Sequence, residues 1–145
     1  MKRGAGFTLI ELLITLVIVG VLASIAVPRV AEARRHAVAA KIIGDYEVVR
    51  HAVYDYRATS STLPATGTFG KVPKPLATSL PTNFRFSYGT TTYRWAYYPA
   101  NGAGGAAVMA LELKDTDTKL LASVRGVFGG ESFATSKQRL SLVIE

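Results

Sequence analysis

Met1–Pro28 reads MKRGAGFTLIELLITLVIVGVLASIAVP, and the rest of the chain is organised around it. Two basic residues, Lys2 and Arg3, precede the small step Gly4-Ala5-Gly6. From Phe7 to Val27 the only ionisable side chain is Glu11. A helix over that run covers ~31 Å, about the hydrocarbon thickness of a bilayer. A secretory signal peptide would place its small-residue cleavage site after a shorter apolar segment. Here the small residues come first, and no A-x-A triplet follows. The stretch therefore reads as a membrane-spanning helix. Lys2 and Arg3 favour a cytoplasmic N-terminus by the positive-inside bias, although Arg29, Arg34 and Arg35 on the far side weigh against it. Glu11 is the anomaly. A carboxylate at the centre of such a helix costs ~2.5–3.5 kcal/mol, less near the interface. It is tolerated either by closeness to the headgroups or by pairing with a cation on another chain. A cut after Gly6 would create that cation, the α-amine of Phe7, at nearly the same depth.

These residues resemble the type III signal of the type IV pilins and type II secretion pseudopilins. The resemblance rests on a short basic leader, then GFTLIEL, then an uninterrupted apolar helix, and it covers Met1 to about Arg57. It implies that a membrane aspartyl peptidase cuts between Gly6 and Phe7 and N-methylates Phe7. It further implies that Glu11 pairs with the Phe7 amine of an adjacent subunit during filament assembly. Pro28 lies where many members of the family carry a proline, and a helix break is expected there because proline lacks a backbone donor. Gly20 and Ser24 form a small-xxx-small pair suited to close helix contact.

Beyond Pro28 the chain turns amphipathic. Val38, Ile42, Val49, Val53 and Tyr56 recur near helical spacing, with Tyr46 beside them and the charged residues mostly off the stripe. One helix from Phe7 to about Arg57 is predicted. His36 and His51 have no ligand partner at helical spacing and read as surface residues. From Ala58 to Asn83 threonine, serine, proline and glycine dominate; a loop is expected, with a helical turn near Pro75–Leu80 and an exposed surface suited to subunit contact.

Alternating runs follow at Phe84–Tyr88, Tyr93–Tyr97, Ala107–Leu113 and Leu140–Ile144, with Glu112 facing outward. A further strand is read at Lys119–Val124, and NGAGG (101–105) reads as a turn. The fold class is α+β: a pilin-like fold in which a long N-terminal helix, transmembrane in its first half, packs on a small antiparallel sheet. The expected divisions are a leader (1–6), a transmembrane or filament-core helix (7–28), an amphipathic helix of the head (29–57) and a loop-and-sheet head (58–145).

The chain has 145 residues, net charge +7 and no cysteine. Without Lys2 and Arg3 the basic residues number 15 against 10 acidic, a balance of +5. That basicity, with Arg85 and Arg94 among Tyr93, Trp95, Tyr97 and Tyr98, admits a nucleic-acid-binding reading; the same aromatics are more often the core face of a sheet. Some pseudopilins use calcium near the C-terminal end, and Asp115 and Asp117 are the candidate oxygen ligands here. No catalytic set of Ser-His-Asp or Cys-His type is present, so no enzyme is expected.

The function implied is that of a structural subunit of a pilus-like filament. Because no disulfide loop can form, the type II secretion pseudopilin is preferred. The alternative is the type IV pilin of a surface pilus or of a DNA-uptake (competence) pilus. The implied partners are homologous subunits, the prepilin peptidase and an inner-membrane platform with its ATPase. The implied location is the cytoplasmic membrane, with the head outside, and then an extracytoplasmic filament.

Overall fold

A computed structural model describes residues 7–60, 62–98 and 107–144. It falls into two units whose boundary lies between Arg34 and Arg35.

The first unit is helical. Helix α1 spans Leu9–Thr59, and its residues up to Arg34 belong to this unit. Every residue from 7 to 30 is exposed. One window of the helix has a mean hydropathy of 2.7, long and apolar enough to cross a membrane. Its hydroxyls are satisfied locally: Thr15 Oγ1 donates to the Leu12 carbonyl at 2.8 Å and Ser24 Oγ to that of Val21 at 2.7 Å. Neither side chain needs a further partner in an apolar surrounding. Pro28 lies inside α1 and does not end it, so the helix expected from Phe7 to about Arg57 runs through the proline. Proline removes a single i→i−4 bond, and the residues on both sides keep helical geometry.

The second unit is a five-stranded antiparallel sheet packed on the remainder of α1 and on a second helix. Strands β1 (Ser87–Tyr88), β2 (Thr91–Tyr98), β3 (Val108–Lys114), β4 (Ser132–Ser136) and β5 (Arg139–Ile144) lie in the order β1-β2-β3-β5-β4. Helix α2 (Thr118–Phe128) connects β3 to a 3-10 turn, Gly129–Glu131, that leads into β4. The pairings align Trp95 with Leu111 and Leu111 with Leu142, and Tyr93 with Leu113 and Leu113 with Leu140. All six side chains are buried in one core with Ile42, Tyr46, Val49 and Val53 of α1. The period of two along the strands and of 3.6 along the helix thus meet on a common face.

Polar ties fix that packing. Tyr46 donates to the Val143 carbonyl at 2.6 Å, and Tyr93 donates to Asp45 Oδ2 at 3.1 Å. Asp45 also pairs with Lys41 one turn earlier on the helix. Burial, and next the adjacent Asp45 carboxylate, push the Tyr93 hydroxyl far above the ordinary phenol pKa, so Tyr93 acts as a permanent donor.

The segment after α1 is more than a surface loop. Leu76, in a 3-10 turn over Lys74–Leu76, and Leu80 enter the core. Its earlier part lies along β2 as a strap. Gly67 N donates to the Trp95 carbonyl at 2.9 Å, Gly70 N to that of Tyr93 at 2.8 Å, and Thr66 Oγ1 accepts from Tyr97 N at 3.1 Å. The Trp95 indole donates to the Pro64 carbonyl at 2.8 Å. Gly70 has φ +74°, a conformation that suits glycine where the strap turns away.

Two strand expectations need correcting, and one strand went unread. Lys119–Val124 is helical: Asp117 caps it by accepting from Lys119 N and Leu120 N, and Leu120, Leu121 and Val124 bury one helical face. The run from Phe84 is strand only at Ser87–Tyr88, because Phe86 is drawn into the core and Phe84 stacks edge-on against it. β4 was not anticipated; its only buried residue is Ser132, so it lacks hydrophobic alternation. The 101–105 turn lies outside the described residues.

Candidate functional site

The residues singled out at the N-terminus meet around the start of α1. Thr8 stands immediately before Leu9, the first helical residue. Its hydroxyl accepts from Glu11 N at 3.3 Å, while Glu11 Oε2 accepts from Thr8 N at 2.9 Å and from Thr8 Oγ1 at 2.8 Å. This T-x-x-E arrangement is a capping box: two otherwise orphaned donors of the helix start are satisfied reciprocally. The positive end of the helix dipole favours a carboxylate at this position. All three bonds leave Glu11 Oε1 without a described hydrogen-bond donor. The Phe7 side chain beside it is 78% exposed. Gly6, the expected cleavage residue, lies outside the described residues.

Sequence reasoning identified Glu11 from the cost of its charge but missed the cap. The signal was available, since a threonine three residues before a glutamate at the head of an apolar run is the capping-box pattern.

The calcium candidates fall at the turn between β3 and α2. Asp115 is buried. Its Oδ2 accepts from Thr90 Oγ1 at 3.0 Å and Thr91 Oγ1 at 2.5 Å, and its Oδ1 accepts from Asp117 N at 2.8 Å. Asp117 Oδ1 caps α2, and Oδ2 accepts from Arg35 Nε at 2.9 Å. The hydrogen bond from Arg35 is the chief reason the Asp117 carboxyl is held below the usual aspartate range. A calcium ion needs six to eight oxygen ligands. Here all four carboxylate oxygens already face N–H and O–H donors, one of them a guanidinium. No cluster of three potential ligand side chains occurs among the described residues. Asp115 and Asp117 do not fit a calcium site; they close a turn and bind α2 to α1.

Of the four aromatics named for a nucleic-acid reading, three turn to the core and Tyr98 is half-buried on the other sheet face. Tyr93 and Trp95 are fully buried, and Tyr97 packs against the core. Base stacking requires an accessible ring face. Arg94 turns inward to Glu112, with its Nη2 2.6 Å from Oε2. His36 and His51 are exposed, as expected of surface residues.

Glu112 was read as outward. It does lie on the sheet face opposite the core, aligned with Arg94 and Ser141, yet it is fully buried. Arg94 covers it and stacks on Phe69 of the strap at 4.7 Å, and Arg139 reaches the same ring at 5.4 Å. Burial of that carboxylate depends on the strap, 43 residues away in sequence, and no local pattern shows it.

Comparison with known proteins bears on the same N-terminal stretch. Residues 1–27 match the model of the prokaryotic N-terminal methylation motif. Among curated relatives, the type II secretion system core protein G of Aeromonas hydrophila is 33% identical over 86 residues, covering 58% of this chain and 60% of the relative. The core protein G of Klebsiella pneumoniae is 36% identical over 66 residues, covering 46% and 47% respectively. That of Vibrio cholerae is 33% identical over 87 residues, covering 59% of each. The chain spans about half to three fifths of the length of these relatives. No solved structure matches the chain. The methylation motif and these relatives support the pilin and pseudopilin family, and the long helix on a small antiparallel sheet is the architecture that family implies.

Proposed function

We propose that the chain is a non-catalytic structural subunit of a type II secretion pseudopilus. It is inserted in the inner membrane by the first part of α1, with its N-terminus in the cytoplasm and its head outside. Prepilin peptidase removes residues 1–6, leaving Phe7 as an N-methylated terminus. A platform and ATPase then feed the subunit into a helical filament with other pseudopilins.

The observation that carries this reading is the joining of the methylation motif to a helix whose exposed surface from Leu12 to Val27 is apolar except for Thr15 and Ser24, both bonded to the helix's own backbone. Such a surface is stable in lipid, and equally in a bundle of identical helices. The capping box supports a specific role for Glu11. One carboxylate oxygen holds the helix start while the other remains available to a neighbour's Phe7 amine. A subunit can therefore accept an incoming ammonium without uncapping its own helix. The pair so formed would be excluded from water and hydrogen-bonded, the condition under which a buried ion pair is tolerated.

Mass spectrometry of the mature protein tests the processing step. The expected mass corresponds to a chain starting at Phe7 plus one methyl group. A chain retaining residues 1–6 in the presence of the peptidase would sink the proposal.

A further inference from the structure

The two edges of the sheet are treated differently. The β2 side is covered by β1 and the strap. The β4 side is bare: among the described residues no backbone group pairs along its outer edge. An uncovered edge is a surface prone to contact. Alongside it, between α2 and the β4–β5 hairpin, lies a groove of about 160 Å³. Leu121, Ala134 and Leu140 line it, and Arg125, Lys137 and Arg139 surround it with no acidic residue. Arg125 and Lys137 make no ion pair among the described residues. The volume suits one or two side chains, and the charge asks for a carboxylate.

The same strip carries the complement. Val127, in the last turn of α2, is 64% exposed. Glu131, four residues on in the 3-10 turn, is exposed and also makes no described ion pair. Glu131 and Lys137 are six residues apart along an extended strand, on the order of 20 Å at the usual rise, so Glu131 of one copy cannot reach its own Lys137.

We propose that the Val127–Glu131 knob of one copy docks into the Arg125–Lys137–Arg139 groove of the next, along the β4 edge. The contact joins two different patches. When each groove takes the knob of a copy other than the one that receives its own knob, the contact is heterologous and repeats into an open polymer; the reciprocal arrangement closes a dimer and would give no ladder. The proposal rests on the pseudopilus reading and adds to it a specific head-to-head contact.

The chain has no cysteine, so introduced ones report without background. Full-length Glu131→Cys and Lys137→Cys chains, both sites being exposed, are co-expressed in membranes with the assembly machinery and treated with a short bis-maleimide. The expected product is a cross-linked dimer in the mixture and none with either variant alone. A chain carrying both cysteines should give a ladder. Adding Arg125→Glu should reduce the cross-link at least fivefold. Filaments without the mixed cross-link overturn this contact and leave the pseudopilus reading standing. The mixed cross-link without filaments supports the contact and overturns that reading. A cross-link with Glu131→Cys alone overturns the heterologous geometry, and absence of any cross-link in membranes and filaments overturns the proposal.

Discussion

Glu11 carries a charge that a lone membrane helix has reason to exclude, and the capping box explains how it is held. Thr8 supplies both a backbone and a hydroxyl donor to one oxygen. Replacing Glu11 with leucine removes the unfavourable charge, worth ~2.5–3.5 kcal/mol at mid-membrane and less here near the helix end. Insertion and cleavage should therefore persist. On the proposed pairing, what is lost is the acceptor for a neighbour's amine. The expected outcome for Glu11→Leu is a correctly processed subunit, by mass, that gives at least tenfold less pelletable filament. Normal filament yield would show that the carboxylate serves only its own helix. At Gly6 a bulky or charged replacement should instead block cleavage, read as retention of the unprocessed mass.

A second residue-scale test concerns Arg35 and Asp117. Both side chains are about one third exposed, so the pair is worth no more than the ~0.2–1 kcal/mol of solvent-screened ion pairs. Asp117 has its folded pKa depressed, chiefly by the Arg35 hydrogen bond, from a reference of 3.8. Its contribution is therefore fully present above that value and lost as pH falls through the lower, folded one. Arg35→Gln should lower the melting temperature slightly at pH 6, and the gap to the parent should close below the ordinary aspartate range. A gap that widens in acid would contradict this sign.

At the scale of elements, the parts legible in sequence are those where one periodicity dominates. The α1 stripe and the alternations of β2, β3 and β5 place the residues their spacing singles out in the core or packed against it, apart from the exposed Ala107. The parts missed are those decided by contacts distant in sequence. Lys119–Val124 offers too few apolar residues to separate strand from helix. Asp117 decides the matter as an N-cap, and its second oxygen is claimed by Arg35, 82 residues away. β4 has no apolar alternation to detect, since its pairing with β5 comes from the hairpin. The strap reads as loop by composition, yet it protects the β2 edge and seats Phe69 over Arg94.

Two predictions belong here. Because every oxygen of Asp115 and Asp117 is already engaged by protein donors, millimolar calcium or EDTA should leave the melting temperature of the full chain in detergent unchanged. A calcium-dependent rise would mean that the Arg35 contact yields to the ion. Trp95 is fully buried at the centre of β2, and Trp95→Ala should cost ~3–5 kcal/mol. Arg85→Ala, at an exposed position, should change stability by no more than ~0.5 kcal/mol. Denaturant midpoints of the two variants would separate a core role for the aromatics from a surface one.

At the scale of the whole molecule, the two units differ in the surface they expose. Among the described residues every buried hydrophobic one lies at or beyond Ala39, within the unit that starts at Arg35. The first unit has no buried residue among those described; its apolar side chains face outward along the whole run from Phe7 to Val30. The expectation is that the second unit folds without that run and that the run sets the solubility of the whole chain. A chain of residues 35–145 keeps the α1 stripe, the five strands, α2 and the Arg35–Asp117 pair. It should be soluble without detergent, elute as a monomer at micromolar concentration and melt in one cooperative transition, as small single domains do. The heterologous head contact, a single knob and groove, is too small to hold copies together once the helices that concentrate them are gone. Full-length chain should require detergent or lipid. Aggregation of 35–145, or a broad non-cooperative melt, would show that the apolar run supports the head as well as anchoring it, and size-exclusion chromatography with circular dichroism would decide between the two.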